Sequence, residues 1–586
     1  MKSLQYLNKY FVKYKWHLLL GIIFTIITNY FGVKMPIYVK DTVDNFVDSS
    51  KSTKGNDLFL LAFKVGGIYI LLSIAKGFFL FLVRQSIIIM SRLIEFDLKN
   101  EIYKHYQKLD LGFFKKNSTG DLMNRISEDV GQVRMYLGPG VMYSINLAIL
   151  SIMSVYQMVK INPILTVFVL IPLPIMSFLI FKVSSKMNIL GTEVQREQSK
   201  LSTIAQETFS GIRVIKAYNR DFEVYEKFET TSNDYKKKSM KLVLVNALFM
   251  PTILFLIGTS TLITIYLGGL MHYKGDITIG GIVAFIYLVN SLTWPFASIG
   301  WVTSIIQRAS ASQKRINEFL ETEPDISNPS SETFDFKGEI EFKNVNFTYP
   351  NTGIEALKNL NFTLKKGDTL AIVGKTGSGK SSVLNLIMRQ YDCNSGEILV
   401  DGKNIKNINL DAFREQSGVV PQDVFLFSDS IANNLTFGLK SNQVTEKELI
   451  DITKKTHVYH NIEAFPDKFE TLLGERGVNL SGGQKQRVSI ARALMRQPKL
   501  LLLDDCLSAV DTETEEIILR NLHDDAAQRT SIIVSHRIST IRNATTILVL
   551  ENGSIIESGT HESLMQLNHV YAEMYHKQLT ENEKEV

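Results

Sequence analysis

The chain is organised around residues 374–381, which read Gly374-Lys375-Thr376-Gly377-Ser378-Gly379-Lys380-Ser381 and match the pattern G-x-x-x-x-G-K-S/T. An apolar run at 370–373 precedes them and is predicted to be a buried strand, and residues 382–388 are predicted to continue as a helix. Glycines at three positions let the backbone curl so that successive N–H groups face one anion, and the N-terminus of the following helix adds the positive end of its dipole. In such a loop Lys380 reaches the β- and γ-phosphates of a nucleotide, and Ser381 holds Mg²⁺. A glycine-rich turn that binds nothing is the alternative, but strand, loop and helix occur in the required order, so the stretch predicts a nucleotide site.

The composition of the whole chain indicates that an apolar region is concentrated in part of it. With 586 residues the chain exceeds one ordinary domain, and 45% hydrophobic residues is high for a soluble protein of this length. The net charge of +5 is small for this size and gives no argument for nucleic-acid binding. The two cysteines, Cys393 and Cys506, form neither a disulfide framework nor a C-x-x-C metal site, so we expect a reducing compartment for the half that contains them.

The first fifteen residues are basic and aromatic, and no small-residue cleavage site follows them, so a cleavable signal peptide is not expected. The pattern predicts a short amphipathic helix on the membrane surface. Its lysines are expected to face headgroups, and Leu4, Tyr10 and Phe11 are expected to face lipid.

Six stretches of the N-terminal half are predicted to cross a membrane as helices, since a helix needs about 20 apolar residues to do so. The six are residues 17–33, 58–83, 135–159, 161–181, 242–273 and 277–307, of which the last four contain no Asp, Glu, Lys or Arg. A lysine-rich start and an acidic first connection place both ends of this region in the cytoplasm by the positive-inside rule. The long connections 91–134 and 182–241 are then cytoplasmic, and their composition predicts that the spans continue into them as helices.

Two lysines lie inside the second predicted span, where a charge is expensive and often functional. Lys64 is near the external end and can snorkel to the interface, whereas Lys76 is deeper and is the better candidate for a substrate pathway. The alternative is that both face water or headgroups without a specific task.

The second half of the chain alternates strand-like and helical segments, which predicts an α/β domain over residues 337–575. A linker at 321–336, rich in proline and serine, separates it from the membrane domain at 1–320, and residues 576–586 are predicted to be a polar tail.

Three further predicted strands end in polar residues: one in Asp504-Asp505, one in His536 and one in Gln422. Ligands of open α/β sheets bind outside the carboxyl ends of the strands, and a carboxylate there suits Mg²⁺. Residues 480–484 read Leu-Ser-Gly-Gly-Gln and open a predicted helix, which is another place where an anion can bind.

The order of these motifs resembles that of ATP-binding cassette (ABC) proteins. The sequence L-S-G-G-Q begins 100 residues after Lys380 and ends 20 residues before Asp504, and six spans ahead of one cassette resemble an exporter half-transporter. The resemblance covers essentially the whole chain, including two arms that read F-F…T-G-D-L-M-N-R and G-I-R-V-I-K-A-Y. It implies an α-helical membrane domain with six transmembrane helices, followed by an α/β P-loop ATPase domain of ABC type.

The resemblance also implies roles for the residues that match the family's motifs, with ATP and Mg²⁺ as cofactors. Tyr349 would stack on adenine, although an ordinary packed aromatic is the alternative reading of that residue taken alone. The phosphates would be held by Gly374, Lys375, Thr376, Gly377, Ser378, Gly379, Lys380, Ser381 and Ser382, and by Ser481, Gly482, Gly483 and Gln484 of a partner cassette. The metal would be held by Ser381, Gln422 and Asp504, and catalysis would involve Asp505, His536 and Gln422. Residues 508–511 resemble the loop that crosses to the opposite site.

Asp505 departs from the family's pattern, because most active cassettes have glutamate at this position. Aspartate is one methylene shorter, and a misplacement of about an ångström can lower a rate roughly a hundredfold. The alternative is that local shifts let Asp505 work, since a carboxylate is retained. The departure resembles exporters built from two different halves, one of which hydrolyses ATP poorly, so a heterodimer is favoured over a homodimer.

The function implied is ATP-driven export of amphipathic small molecules across the cytoplasmic membrane, with the nucleotide-binding domain in the cytoplasm. A flippase for lipids or lipid-linked glycans is the alternative within the family. An ATP-gated channel or regulatory membrane protein is disfavoured because no long regulatory insertion separates the halves. The expected partners are a second half-transporter, membrane lipids and a hydrophobic or amphipathic substrate, but no nucleic acid.

Overall fold

The structure, a computed structural model, describes residues 2–49, 55–440, 444–524 and 529–585. The chain divides into two compact units. The N-terminal unit comprises Met1–Gln107 with Thr119–Thr322, and the C-terminal unit comprises Lys108–Ser118 with Glu323–Val586. The short segment 108–118 therefore belongs with the C-terminal unit, although helices of the other unit flank it in sequence.

The N-terminal unit is built from helices. In chain order the α-helices up to residue 320 are α1 (Asn8–Lys13), α2 (Lys15–Ser49), α3 (Gly55–Tyr106), α4 (Leu111–Lys116), α5 (Thr119–Asn124), α6 (Val130–Met135), α7 (Val141–Ile161), α8 (Pro163–Leu170), α9 (Pro172–Ser210), α10 (Ile212–Tyr218), α11 (Asp221–Tyr273) and α12 (Ile279–Leu320), with α4 in the C-terminal unit. A 3₁₀ segment at Lys2–Leu7 precedes α1, and π-helical turns at Arg125–Asp129 and Tyr136–Gly140 join α5, α6 and α7. Helices α3, α9 and α11 extend well past their apolar stretches, which confirms the prediction that the spans continue into the connections as helices.

Five stretches of helix among the described residues have the length and hydropathy needed to cross a bilayer. They are Lys15–Val47, Ala62–Tyr106, Thr119–Ile161, Asp221–Tyr273 and Ile279–Leu320. The remaining predicted span, 161–181, is not among them. Its helix is broken at Ile171, directly before Pro172, whose ring nitrogen carries no hydrogen to donate.

Some polar side chains between these helices are hydrogen-bonded within the helical unit, which lowers the cost of placing them in an apolar environment. Thr25 and Thr28 each donate to the carbonyl four residues earlier on α2. Asn29 on α2 donates from Nδ2 to Oδ1 of Asn146 on α7 at 3.0 Å, which ties the two helices together.

Tyr10, one of the three residues predicted to face lipid, packs against the protein instead. The Tyr10 side chain is buried, with the residue only 6% exposed, and the hydroxyls of Tyr6 and Tyr10 both donate to the carboxylate of Glu101 on α3. The ammonium of Lys9 also donates to Glu101, at 2.6 Å. The expectation for Tyr10 was wrong because the pattern alone does not show that an acidic residue on α3 offers an acceptor for all three donors.

The C-terminal unit contains two sheets with helices around them. The strands are β1 (Ile340–Thr348), β2 (Glu355–Leu364), β3 (Thr369–Val373), β4 (Ser395–Val400), β5 (Lys403–Asn404), β6 (Ser417–Val420), β7 (Leu500–Asp504), β8 (Thr530–Val534), β9 (Thr546–Glu551) and β10 (Ser554–Gly559). The α-helices after residue 320 are α13 (Lys380–Ile387), α14 (Leu410–Glu415), α15 (Ile431–Thr436), α16 (Glu446–Lys455), α17 (Tyr459–Glu463), α18 (Gly482–Met495), α19 (Thr512–Asp524), α20 (His561–Leu567) and α21 (Val570–Glu585).

The larger sheet has the order β10-β9-β3-β8-β7-β6, and β9, β3, β8, β7 and β6 run parallel to one another. The smaller sheet, β2-β1-β4-β5, is antiparallel. The central strands β3, β7 and β8 are almost continuously buried, as expected for a parallel sheet covered on both faces. Because β3, β6, β7 and β8 are parallel, the loops that follow them open at one edge of the sheet, which is where the predicted site residues lie.

The segment 108–118 and the residues around the predicted linker pack onto the core of the C-terminal unit. Asp110 caps α4 through the Phe113 N–H at 3.1 Å, and its second oxygen accepts the Asp325 N–H at 2.8 Å. Leu111 packs against the core, and the Gly112 carbonyl accepts from Asn351 Nδ2 at 3.3 Å. Within the predicted linker Phe336 is 1% exposed. Residues 576–585, predicted as a polar tail, continue α21.

Candidate functional site

The loop between β3 and α13 has the backbone that the sequence pattern requires. Gly379 is the N-cap of α13 and has φ 101°, in the left-handed region that favours glycine. A Cβ at Gly379 would lie 2.3 Å from the Ala356 carbonyl oxygen, so a side chain there would clash with backbone. Gly377 also has a positive φ, 82°, but faces open space. With Lys375 and Thr376 it forms the exposed rim of the loop, which is accessible to a nucleotide.

Two polar side chains inside the loop are buried in a way that suits an anion. The Lys380 ammonium donates to the carbonyls of Gly374 at 2.8 Å and Lys375 at 3.0 Å, and burial lowers the pKa of this lysine while Asp505 and Asp504 oppose that shift. The Ser378 hydroxyl oxygen is buried and has no hydrogen-bond partner among the described residues. A phosphate oxygen would give Ser378 a partner and would give Lys380 a stronger acceptor than a carbonyl.

The predicted metal ligands Ser381 and Asp504 are in contact. Ser381 Oγ donates to Asp504 Oδ1 at 3.0 Å, across the gap between the start of α13 and the end of β7. Burial raises the pKa of the Asp504 carboxyl, the hydrogen bond from Ser381 opposes this, and the neighbouring Asp505 carboxylate raises it further. A hydroxyl and a carboxylate are hard oxygen donors of the kind that Mg²⁺ prefers, so this pair fits the predicted metal.

The other predicted catalytic residues lie at the same edge of the sheet without a side-chain hydrogen bond to that pair. Asp505 directly follows β7 and has φ 45°, a left-handed conformation that aspartate tolerates better than most residues. Its N–H donates to the Val534 carbonyl of β8 at 2.8 Å. His536 follows β8 and is half-buried, and Gln422 is exposed two residues after β6.

Tyr349 is tied to the phosphate loop by a hydrogen bond. Its hydroxyl lies 2.9 Å from Ser382 Oγ, and its ring makes edge contacts with Phe347 and Tyr391 at centroid distances of 4.8 and 5.4 Å. The ring is only partly buried against the core, so part of it remains accessible to a base.

The L-S-G-G-Q residues form a helix N-terminus that faces outward. Ser481 is the N-cap of α18, and its hydroxyl accepts the Gln484 N–H while the Gln484 side chain accepts the Ser481 N–H, which makes a capping box. Ser481 and Gly482 are exposed, so the remaining N–H groups of this turn are accessible to an anion from outside.

The helix α18 is held against the loop 508–511 by a residue that the sequence analysis did not single out. The buried Gln486 accepts the Ala509 N–H at 3.1 Å and lies 3.4 Å from the Ser508 hydroxyl. A Cβ at Gly483 would be 2.8 Å from the Ala509 carbonyl oxygen, so the second glycine of the motif permits this close approach. The signature turn and the loop 508–511 are therefore positioned as one piece.

Glu515 and Arg537 are two further polar residues that sequence reasoning missed. Glu515 is 2% exposed and accepts from Thr540 and, at 2.8 Å, from Arg537. Arg537 also donates to the carbonyls of Ser508 at 3.2 Å and Val510 at 3.3 Å. A signal for Glu515 is present, because it lies three, four and seven residues before the apolar Ile518, Leu519 and Leu522 and so shares their helix face.

The two membrane lysines differ in their surroundings. Lys64 is exposed, whereas Lys76 is half-buried and lies against Gly32 of α2, where a Cβ would be 3.4 Å from the ammonium nitrogen. Lys76 makes no hydrogen bond or ion pair with any of the described residues, so none of them neutralises its charge.

Comparison with known proteins gives consistent matches along the whole chain. A family model described as the ABC transporter transmembrane region matches residues 18–296, and one described as ABC transporter matches residues 357–508. The probable multidrug resistance ABC transporter ATP-binding/permease protein YheI of Bacillus subtilis (strain 168) is 34% identical over 98% of this chain and 97% of its own length. The ATP-dependent lipid A-core flippase of Syntrophus aciditrophicus (strain SB) is also 34% identical, over 83% of this chain and 80% of its own.

A solved structure of a bacterial Atm1-family ABC exporter with ATP bound has a similar fold. It superposes with a TM-score of 0.78 at 25% sequence identity and covers 98% of both chains. The similarity extends over the helical part and the α/β part alike.

Proposed function

The chain belongs to the ABC transporter family, and we propose that it is an ATP-driven exporter of hydrophobic or amphipathic small molecules across the cytoplasmic membrane. The observation that carries this proposal is the phosphate loop with its Ser381–Asp504 pair, in the same chain as helices long and apolar enough to cross a bilayer. The names of two relatives, a probable multidrug resistance ABC transporter protein and a multidrug resistance-like ATP-binding protein, support this substrate class.

In the proposed domain arrangement, residues 1–320 form a transport domain with six spans and residues 337–575 form the nucleotide-binding domain, joined by the linker 321–336. Residues 161–181 would be the remaining span, the fourth in chain order. There α8 and the first part of α9 follow one another with a break at Ile171. Its low charge supports this assignment, because the stretch contains no Asp, Glu, Lys or Arg.

ATP binding would use groups that the fold has already oriented. The phosphates would enter the loop 374–382, exchange the carbonyl partners of Lys380 for phosphate oxygens and give the Ser378 hydroxyl an acceptor. Tyr349 would present its accessible face to adenine. Ser381 and Asp504 would hold Mg²⁺, which when bound neutralises charge on the β- and γ-phosphates.

Hydrolysis would occur at the edge of the sheet where β6, β7 and β8 end. The oxygen of a water molecule attacks the γ-phosphorus in line, the bond from that phosphorus to the β–γ bridging oxygen breaks, and ADP leaves with that oxygen. Asp505 would accept the proton of the attacking water, Gln422 would orient the water, and His536 would donate a hydrogen bond to the γ-phosphate. Ser481 and Gly483, exposed or half-exposed at the start of α18, would close over the γ-phosphate held by a second cassette.

ABC exporters of this half-transporter type act as dimers, and we favour a heterodimer here. Asp505 supports this choice because its side chain is shorter than glutamate and its backbone is fixed by the hydrogen bond to Val534, which limits the shifts that would extend its reach. The site of this chain would then hydrolyse slowly, and its intact Ser481–Gln484 turn would serve the competent site of the partner. A homodimer is the alternative.

Coupling between nucleotide and transport would use the segment 108–118. This segment packs on the C-terminal unit through Asp110, Leu111 and Gly112, while α3 and α5 on either side belong to the N-terminal unit. Closure of two cassettes over ATP would therefore pull on the helices through α4, and hydrolysis would release them.

A lipid flippase is the second candidate function. Relatives named lipid A-core flippase support it at an identity similar to that of the multidrug relatives. In either case we propose that Lys76, which has no ionic partner among the described residues, lines the pathway.

The decisive experiment is ATP-dependent accumulation of a fluorescent amphipathic dye in inside-out vesicles that contain the chain with its partner. We expect uptake with ATP and none in the Lys380→Ala variant, and the same vesicles loaded with a fluorescent lipid test the flippase alternative. Uptake that persists in Lys380→Ala would contradict the proposal, and downhill flux that continues when hydrolysis is blocked would identify a channel instead.

A further inference from the structure

The backbone that carries His536 leaves the sheet without regular secondary structure. After β8 the Ser535 N–H still bonds to the Ile372 carbonyl of β3 at 3.3 Å, and the next backbone hydrogen bond is that of a turn, from the Ile541 N–H to the Ile538 carbonyl. Between these points the His536 carbonyl and the Ile538 N–H face the protein, with Ile538 only 1% exposed. Backbone groups in such a position need partners from elsewhere in the fold.

Gln578 on the last helix, α21, supplies both partners. Its Nε2 donates to the His536 carbonyl at 2.6 Å, and its Oε1 accepts the Ile538 N–H at 2.8 Å. A primary amide offers a donor and an acceptor side by side, whereas an ionised carboxylate offers only acceptors. The pairing therefore specifies glutamine at this position.

The helix that carries Gln578 is anchored independently of that side chain. Its first N–H groups, those of Val570 and Tyr571, donate to the Glu557 carboxylate at 2.7 and 3.2 Å. Tyr571 is fully buried, and its hydroxyl lies 2.8 Å from His561 Nδ1. Helix α21 is therefore held in place independently of Gln578. Replacing the Gln578 side chain should leave the helix where it is.

On its other side the same loop is held by Arg537. The guanidinium bonds to Glu515 and to the carbonyls of Ser508 and Val510, so it links the loop of His536 to the loop 508–511. The loop of His536 is therefore held on one side by Gln578 of α21 and on the other by the contacts of Arg537 with the loop 508–511. Each of these two sets of contacts is called an anchor below. Only the first of these anchors contacts the backbone of His536 itself.

We propose that Gln578 is a positioning residue for His536, and that the last helix of the chain thereby sets how fast the nucleotide is hydrolysed. This inference rests on the proposed role of His536 at the γ-phosphate. Gln578 fixes the direction of the peptide that follows His536 and so the point in space from which the imidazole is presented. A displacement of about an ångström at a catalytic group lowers a rate by up to roughly a hundredfold, and partial release of one anchor should give a smaller effect.

The test is the steady-state ATPase of the full-length chain in lipid nanodiscs, paired with a partner whose own catalytic base has been removed by mutation, so that the turnover measured is that of this chain's site. Gln578→Ala is expected to lower kcat about tenfold, to leave the KM for ATP within twofold, and to leave the melting temperature nearly unchanged. Gln566→Ala, the same change at an exposed position on α20, is the matched control and should retain wild-type values. Each variant is made in the native chain and in the Asp505→Glu chain, so that slow hydrolysis at the native site does not hide the effect.

Gln578→Glu adds a readout that a merely structural role would not move. Above the pKa of the introduced carboxyl, two acceptors face the His536 carbonyl, and kcat should fall at least as far as in Gln578→Ala. As the pH falls through that pKa, the protonated acid regains a donor and an acceptor, so the ratio of variant to wild-type kcat should rise several-fold. Taking the ratio at each pH removes any pH dependence that the two proteins share.

Combination with His536→Ala separates this inference from the proposed function. If Gln578 acts through His536, Gln578→Ala should cause no further loss in the His536→Ala background. A further tenfold loss there, a kcat of Gln578→Ala above half of wild type, or a constant ratio for Gln578→Glu across pH would each overturn the inference. A normal ATPase in His536→Ala alone would instead overturn the proposed role of His536.

Discussion

The two units of this chain use apolar residues in opposite ways. In the C-terminal unit the central strands are almost continuously buried, and Leu500, Leu502 and Ile532 are all 0% exposed. On α3 of the N-terminal unit, by contrast, Phe63, Leu71 and Phe78 are 76%, 67% and 57% exposed. Side chains of this kind on a helix of membrane-spanning length are suited to lipid or to an apolar substrate.

This difference explains why functional residues can be recognised from the sequence in the C-terminal unit but not in the N-terminal unit. In the C-terminal unit few polar residues lie at the sheet edge. The position of such a residue directly after a buried strand therefore indicates a binding or catalytic role. In the N-terminal unit residues that would face lipid and residues that would line a cavity obey the same solvent preference. Substrate class is therefore read from relatives, while the ATP site is read from the chain itself.

The contrast between the two units would be contradicted most clearly if the loop 374–381 were dispensable for ATPase activity. Lys380→Ala removes the buried ammonium, and we expect more than a hundredfold loss of ATPase together with complete loss of dye transport. Both are measured in the same proteoliposomes. The matched control is Lys358→Ala, which removes an exposed lysine of β2 whose ammonium lies 3.4 Å from Glu355 and should keep most of the activity.

Asp505→Glu tests whether the C-terminal unit contains an impaired site. Lengthening the side chain by one methylene should bring the carboxylate into reach of the water, so hydrolysis at this chain's own site, measured with the partner's site inactivated, should become roughly tenfold faster or more. Asp505→Asn, which removes the base, serves as the opposite control and should lower the remaining activity. An Asp505→Glu rate equal to or below that of the native chain would argue that Asp505 is already a competent base.

Gly379→Ala tests whether the loop backbone is as constrained as its contacts indicate. A methyl group would meet the Ala356 carbonyl at 2.3 Å in a left-handed conformation, and strain of about 1–3 kcal/mol should weaken ATP binding about tenfold. Binding is followed by the rise in melting temperature with ATP. Gly377→Ala is the control, since it has a similar φ but no neighbour within 4 Å and should lose less.

The smallest expected effect concerns the N-terminal unit. Lys76→Met removes a charge that has no ionic partner among the described residues, and we expect a two- to fivefold change in the stimulation of ATPase by anionic amphipathic compounds. Lys64→Met, at the exposed lysine nearer the helix end, should leave this stimulation unchanged. Equal effects of the two substitutions would remove Lys76 from the proposed pathway.

Sequence reasoning succeeded where a local pattern has one physical solution. The phosphate loop, the ABC-type α/β domain and the long helical extensions are of this kind, since glycine spacing, buried strands and helical composition each restrict the backbone. Five of the six predicted spans match helices of sufficient length and hydropathy, and the remaining one contains a break before Pro172 that hydropathy alone does not register.

Contacts between residues distant in sequence were not predictable in the same way. Tyr10 was expected to face lipid because nothing local shows that it bonds to Glu101, 91 residues later. Gln578 lay within a predicted tail, although its spacing from Tyr571, Met574 and Tyr575 places it on their helix face. Such residues are recognised only when the fold brings their partners to them.

The assignment of segment 108–118 to the C-terminal unit has a practical consequence for fragments of this protein. A soluble fragment that begins at Glu323 would lack part of its own surface, leaving the Asp325 N–H and the amide of Asn351 without the partners they have in the full chain. We expect a synthetic peptide of residues 108–118 to bind such a fragment at that vacated position. Added to the intact transporter, the same peptide would compete with the chain's own segment and act as an uncoupler, so that ATP is consumed while the substrate stays where it was.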